Sequence, residues 1–222
     1  MSSIDKINFD GDVNLGLHTV VNDRFCLVDS SLSERCYEAI GNTLEVDVVR
    51  SLVANSKMVG IFSEGNSSGL VLPKNVETIE TEKLDNKGIE YRVIDSKETA
   101  LGNLILVNDS ACLISTRLED FKNELEDFFG VPVETGTVAG LDVVGSSAVA
   151  TNRGLLCHRD VKKEEMEKLE ELFDMICGRG TVNFGSPFVG AMITANSNGV
   201  LAGEKTTGPE MGRIDEALFP EE

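Results

Sequence analysis

Five cysteines and two histidines are the residues in this 222-residue sequence whose side chains could carry covalent or metal chemistry. The cysteines are Cys26, Cys36, Cys112, Cys157 and Cys177; the histidines are His18 and His158. A structural zinc site draws four ligands from closely spaced Cys and His pairs, and no Cys-x-x-Cys pair occurs. An odd cysteine count without such pairs signals no disulfide framework either, so reduced, buried thiols are expected. Nucleophilic catalysis needs a thiolate, a base within reach and a third group to orient the base. Two isolated histidines offer no such set. No Gly-x4-Gly-Lys-Ser/Thr loop marks a nucleotide site. The expectation is therefore no catalytic residue, no metal and no cofactor.

The elements that would position any site come from a repeat. Five segments begin with Gly, run through an apolar stretch to Asn and enter a second apolar stretch: GLHTVVNDRFCLV, GIFSEGNSSGLVL, GNLILVNDSACLI, GSSAVATNRGLLC and GAMITANSNGVLA. The leading glycines are Gly16, Gly60, Gly102, Gly145 and Gly190, in steps of 44, 42, 43 and 45. The asparagines are Asn22, Asn66, Asn108, Asn152 and Asn196, in steps of 44, 42, 44 and 44. The flanking Val, Ile and Leu runs suit strands, and Asn with Asp, Ser or Gly suits a tight hairpin that needs positive φ. Four residues beyond each Asn stand Cys26, Leu70, Cys112, Leu156 and Val200, so cysteine alternates with aliphatic residues at one core position.

A helix is expected after each hairpin. Ser31-x-x-Glu34, Thr116-x-x-Glu119 and Thr207-x-x-Glu210 read as capping boxes. Leu118, Phe121, Leu125 and Phe128 form one apolar stripe, and Met166, Leu169, Leu172, Phe173 and Ile176 another. Residues 76–87 show the weakest periodicity. A further short strand follows, as at Val48–Val49 and 131–133. Each unit is thus strand, strand, helix, strand. The fifth unit lacks its last strand, while residues 4–9 precede the first glycine without a unit. Their pairing would seal the chain into a closed ring and remove exposed edges. The fold class expected is α/β, a single five-fold pseudosymmetric domain with units near 16–59, 60–101, 102–144, 145–189 and 190–219, closed by 1–15.

Formal charge is −18, from 20 Lys and Arg against 38 Asp and Glu. Binding to free nucleic acid requires a basic face, so a basic protein is the better partner. No apolar run approaches the ~20 residues of a membrane span, and the start MSSIDKINFD has no basic-then-apolar signal. A cytoplasmic address is expected.

At these residues the sequence resembles the translation initiation factor 6 family, in its archaeal length. The matching stretches are Thr99–Asn103 with Asn108-Asp109, Gly69–Pro73, Arg153–His158, Gly180–Asn183, and Thr206-Thr207 with Glu210, spread over essentially the whole chain. The C-terminal tail of eukaryotic members has no counterpart. The resemblance implies the pentein (β-α propeller) fold. It also implies a monomer that binds the joining face of the large ribosomal subunit, excludes the small subunit, and takes part in large-subunit maturation. Penteins also include guanidine-modifying hydrolases and transferases, the alternative reading, which the missing Cys–His–carboxylate set disfavours. A ring-shaped DNA clamp would show two long halves, against the observed period near 44. With five like-oriented hairpins, the ribosome-binding candidates are Asn22, Asn66, Asn108, Asn152 and Asn196. Without a nucleotide site, release requires energy from another protein.

Overall fold

A computed structural model describes residues 3–220. The chain forms five separate three-stranded sheets and five helices of eight residues or more, a mixed α/β arrangement in which the sheets do not merge into a barrel. The N-terminal strand is β1 (Ser3–Ile7). The first unit holds β2 (Thr19–Val21), β3 (Phe25–Asp29), helix α1 (Glu34–Leu44) and β4 (Asp47–Ser51). The second holds β5 (Glu64–Asn66), β6 (Gly69–Pro73), α2 (Thr78–Asp85) and β7 (Tyr91–Ile94). The third holds β8 (Ile105–Val107), β9 (Cys112–Ser115), α3 (Lys122–Phe129) and β10 (Val133–Gly136). The fourth holds β11 (Ala148–Ala150), β12 (Leu155–His158), α4 (Lys163–Phe173) and β13 (Cys177–Gly180). The fifth holds β14 (Ile193–Ala195), β15 (Gly199–Gly203) and α5 (Gly208–Leu218).

In every unit the first two strands pair antiparallel and the middle strand pairs parallel with the third. The fifth unit takes its third strand from the other end of the chain: β1 lies parallel to β15, Ser3 opposite Gly199 and Ile7 opposite Gly203. The expected pairing of the N-terminal segment is therefore present.

The leading glycines do not begin strands, as the apolar runs suggested. Gly16, Gly60, Gly102 and Gly145 sit in single helical turns (Leu15–Leu17, Val59–Phe62, Leu101–Leu104, Val144–Ser147), which leaves the first strands only three residues long. Close approach explains glycine here. A Cβ on Gly60 would lie 2.0 Å from the Gly16 carbonyl oxygen, on Gly102 2.1 Å from that of Gly60, and on Gly145 2.1 Å from that of Gly102. The succession continues from Gly145 to Gly190 (1.9 Å) and from Gly190 back to Gly16 (2.0 Å). Real Cβ contacts stay beyond 3.0 Å, so only hydrogen fits.

The core lies between each sheet and the helix packed on it. Leu125 and Phe129 of α3 and Leu169 and Phe173 of α4 are fully buried. Ile176, assigned to the α4 stripe, lies beyond the helix and is 79% exposed. Of the three proposed capping boxes, Thr207 with Glu210 is present. Ser31 instead bonds Asp29, and the helix starts two residues later, at Ser33. Thr116 is preceded by the actual cap, Ser115, which accepts from Arg117 N–H.

Three helix starts share a device. Glu80 accepts from the Glu77 N–H that opens α2 and from Ala54 and Asn55 N–H in a turn of the preceding unit. Glu165 does the same for Lys162 and Gly140, and Glu210 for Thr207, Phe184 and Gly185. These turns need the donors tied down, because Ala54, Asn55, Ala139, Asn183 and Phe184 all have positive φ. One carboxylate thus joins a helix start to its neighbour. Burial alone would raise the Glu210 pKa, but donors from Thr207, Thr181 and Gly185 outweigh it and hold it at about 2.

Candidate functional site

The five hairpins are two-residue turns. Asn22 N–H donates to Phe25 C=O, Asn108 to Ala111 and Asn196 to Gly199. Each of these asparagines also accepts on Oδ1 from the N–H groups two and three residues on; Asn66 accepts from Ser68. None of the five asparagines has positive φ. Their selection rests on this acceptor role, not on tolerance of left-handed backbone.

The fourth hairpin corrects the register. Thr151 N–H donates to Gly154 C=O, and Thr151 Oγ1 accepts from Arg153 and Gly154 N–H. Thr151, one residue before Asn152, therefore occupies the asparagine position. Its core partner is Leu155, paired with Ala150 as Cys26 is with Val21, so Leu156 was also one residue late. The corrected series 22, 66, 108, 151 and 196 has steps of 44, 42, 43 and 45, identical to the glycine steps.

The asparagine amides link the hairpins in succession. Asn22 Nδ2 donates to Asn66 C=O (2.8 Å), Asn66 to Asn108 C=O (3.2 Å), Asn108 to Thr151 C=O (2.8 Å) and Asn196 to Asn22 C=O (3.2 Å). Asn66 also donates to Phe129 C=O and Asn196 to Leu44 C=O, satisfying carbonyls at the ends of α3 and α1. These four side chains are buried. They hold the hairpins side by side and do not themselves face solvent.

The next residue in each turn forms an outer tier. Asp109 accepts from Ser67 N–H and Oγ, and Asp23 from Ser197 N–H and Oγ. Asn152, half-buried, donates to both Asp109 Oδ2 (2.6 Å) and Asp23 Oδ2 (2.8 Å), and so spans the mouth between hairpins that are not neighbours. Arg24, Ser68, Asp109, Ser110 and Arg153 are the exposed groups of this surface. With Asp23, the tips carry two Arg and two Asp, so the hairpin end is locally balanced within a strongly acidic chain.

Below these hairpins the five glycines line a narrow channel of about 70 Å³ with Glu64, Asn103 and Ser146. Ordinary ligand pockets measure roughly 300–1,000 Å³. Glu64 is the sole ionisable group along it. Part of its surface opens on the channel, yet burial of its carboxyl pushes the pKa up to about 8, against the opposing donation of Gly65 N–H.

The residues weighed for chemistry are held apart. His18 Nε2 pairs with Asp12 Oδ2 at 3.1 Å, and its ring meets Phe9 edge-on. His158 accepts on Nδ1 from Asp160 N–H and packs edge-on against Phe188; burial first, then Arg159, lowers its pKa against the pull of Asp160. All five cysteines are reduced and buried. Burial pushes the Cys26 and Cys112 thiols far up, away from thiolate chemistry. Cys157 and Cys177 approach each other at 2.8 Å inside the fourth core. No hydrogen bond joins a cysteine thiol to a histidine among the described residues, and none of their clusters could hold a metal ion. No helix among them is long and apolar enough to cross a membrane.

The sequence matches the model of the eIF-6 family over residues 4–217. The chain belongs to the eIF-6 family. Its relatives include translation initiation factor 6 of Pyrococcus abyssi, 41% identical over 222 residues with 97% of this chain and 98% of that protein covered. The Methanocaldococcus jannaschii protein of the same name is 40% identical over 225 residues, covering 98% and 99%. Members of this eIF-6 group from Saccharolobus islandicus remain 36% identical over 222 residues.

Proposed function

We propose that this chain acts in translation initiation by binding the joining face of the large ribosomal subunit and keeping the small subunit away, with a share in large-subunit maturation. It works in the cytoplasm as a monomer, without catalysis or a cofactor. In this reading the chain is one pentein domain, a closed ring of five units near 16–59, 60–101, 102–144, 145–189 and 190–219 completed by 1–15. The glycine succession and the β1–β15 pairing support the ring.

One observation carries the choice of face: buried amides of Asn22, Asn66, Asn108 and Asn196 weld the hairpins into a continuous platform. A broad surface of turns over a narrow channel offers area without a pocket, which suits docking onto a macromolecule. The asparagines and Asn152 set the shape of that surface, while Arg24, Ser110 and Arg153 at the tips make contact. With a net charge of −18 the chain is repelled by exposed RNA, so the contact concentrates on a basic large-subunit protein.

Sucrose-gradient sedimentation with isolated subunits tests this. The protein should migrate with large subunits and reduce the joined-particle peak. Ser110→Trp and Arg24→Glu should release it without changing its melting temperature. Undiminished binding by both variants, and by Asn152→Trp, would move the contact to another face; absence of any subunit binding would end the reading.

A further inference from the structure

β10 keeps a free edge. It is the outer strand of the sheet β10-β9-β8. Cys112 N–H donates to Pro132 C=O at the start of the β9–β10 ladder. Bonding alternates along a parallel pair, so Glu134 faces β9 while Val133 and Thr135 turn their N–H and C=O outward. Among the described residues no hydrogen bond meets those outward groups.

Beside this edge runs a groove of about 570 Å³ between the sheet and α4. Leu113, Leu169 and Leu172 form its apolar floor. Gly136 leaves it open: a Cβ there would come within 3.1 Å of Leu113 Cδ1. The rim carries Glu134, Glu165 and Glu171 against Lys168. Glu165 is engaged by Thr137 and Gly140, and Glu134 is shared with Lys122, whereas Glu171 stands exposed.

Three other outer strands, β13, β7 and β4, are more crowded or differently charged. Ala217 packs so tightly against β13 that a Cβ on Gly178 would be 2.4 Å from its own Cβ. Beside β7, Phe128 lies against Gly69, and the Arg92 guanidinium sits 5.5 Å from the Phe128 ring centre. The groove beside β4 is open, about 510 Å³, but its rim carries Lys83, Lys87 and Arg50, the last paired with Glu34.

An unpaired edge is a template for another chain, and proteins ordinarily block it. Here it is left bare next to an apolar trough, the arrangement used for strand addition. We propose that β10 receives an extended segment of a partner protein that presents apolar and basic side chains together on one face, at every second residue. The segment's main chain pairs with Val133 and Thr135. These side chains share the groove, because Glu134 is in register with Leu113 and stands on the same face of the sheet: the apolar ones lie over Leu113 and Leu172, and the basic one meets Glu134 and Glu171. At ~3.3 Å per residue the four-residue β10 admits a paired stretch of roughly four to six residues.

The probe is a capped heptapeptide with leucine, lysine and leucine at its second, fourth and sixth positions and threonine between them, added to the isotope-labelled full chain and followed by NMR and amide hydrogen exchange. Binding should shift resonances in β10 and α4 and slow exchange at Val133 and Thr135 at least tenfold. The same peptide N-methylated at alternate amides keeps its charge and side chains but cannot pair, and should bind at least tenfold more weakly. Leu172→Arg, at a half-buried helix position, should weaken the unmodified peptide by a similar factor at unchanged melting temperature. Equal binding of the N-methylated peptide, shifts scattered over the acidic surface, unprotected Val133 and Thr135, or no binding at millimolar peptide would each overturn the proposal.

Discussion

Asn196 donates one amide hydrogen to the carbonyl of Asn22 at 3.2 Å, across 174 residues of sequence. With its second hydrogen on Leu44 C=O it ties the last hairpin to the first unit and to the end of α1. Removing the amide leaves the buried Asn22 carbonyl and two turn N–H groups without partners, while Leu44 C=O keeps only its bond from Asn198 Nδ2. Each such loss costs about 1–3 kcal/mol. Asn196→Ala should therefore lower stability by at least ~2 kcal/mol in urea unfolding, and Asn152→Ala, on the half-exposed outer tier, by less than half as much.

The succession of amides has one gap. Thr151 holds its own turn but has no amide to reach Asn196 C=O, the step that Asn22, Asn66, Asn108 and Asn196 each make. Thr151→Asn should supply it and stabilise the fold by about 0.5–1.5 kcal/mol. An unchanged or lower urea midpoint would show that the fourth hairpin cannot accept the same geometry.

Glycines separate cleanly by environment. Gly102→Ala forces a methyl to within 2.1 Å of the Gly60 carbonyl oxygen, and backbone must move to relieve it. A loss above ~3 kcal/mol, or failure to fold, is expected. Gly212, exposed inside α5 with nothing within 4 Å, should gain about 1 kcal/mol as Ala. Thermal denaturation of the two variants reads both signs.

Two carboxyls link stability to pH in opposite directions. Glu64 has its folded pKa raised to about 8, so its contribution is complete below the ordinary value near 4.5 and is lost as pH climbs through 8. Glu210, lowered to about 2, contributes above 4.5 and loses that contribution as pH falls towards 2. Glu64→Gln should flatten the decline between about pH 4.5 and 8, which in the wild type approaches roughly 1 kcal/mol per pH unit. Glu210→Gln should flatten the acid decline. Urea midpoints measured from pH 3 to 9 distinguish the two.

Charge governs how a basic partner is met. Long-range attraction by a chain of −18 raises the association rate and is screened by salt, whereas packed contacts set dissociation. Raising salt from 50 to 300 mM should slow binding to large subunits several-fold and leave dissociation nearly unchanged. A dissociation rate that rises as steeply as association falls would place the charges inside the contact.

The period of the chain was legible because the glycines answer to a steric demand that no other residue meets. The asparagine series misled at one unit because Thr151 performs the same turn-capping with a hydroxyl, and a neighbouring Asn152 masked the substitution. The helical turns around Gly16, Gly60, Gly102 and Gly145 were read as strand because single turns are too short to show a helical period. Ser31 was misplaced because a capping pattern of two residue types recurs by chance. The exposed groups of the hairpin end were not visible either: the sequence marks Asn as the turn residue, while solvent is met by Arg24, Ser110 and Arg153.

The pairing of β1 with β15 bears on how the protein is made. On a translating ribosome β1 emerges first, and its partner strand follows 196 positions later, since Ser3 faces Gly199. At about 5–20 residues per second that is a wait of roughly 10–40 s. Throughout it, a nascent chain can complete sheets one to four internally but cannot settle β1. Vectorial synthesis thus leaves the final weld until β15 has emerged, and a prematurely terminated product lacking β15 exposes β1 to whatever chaperone or protease inspects it.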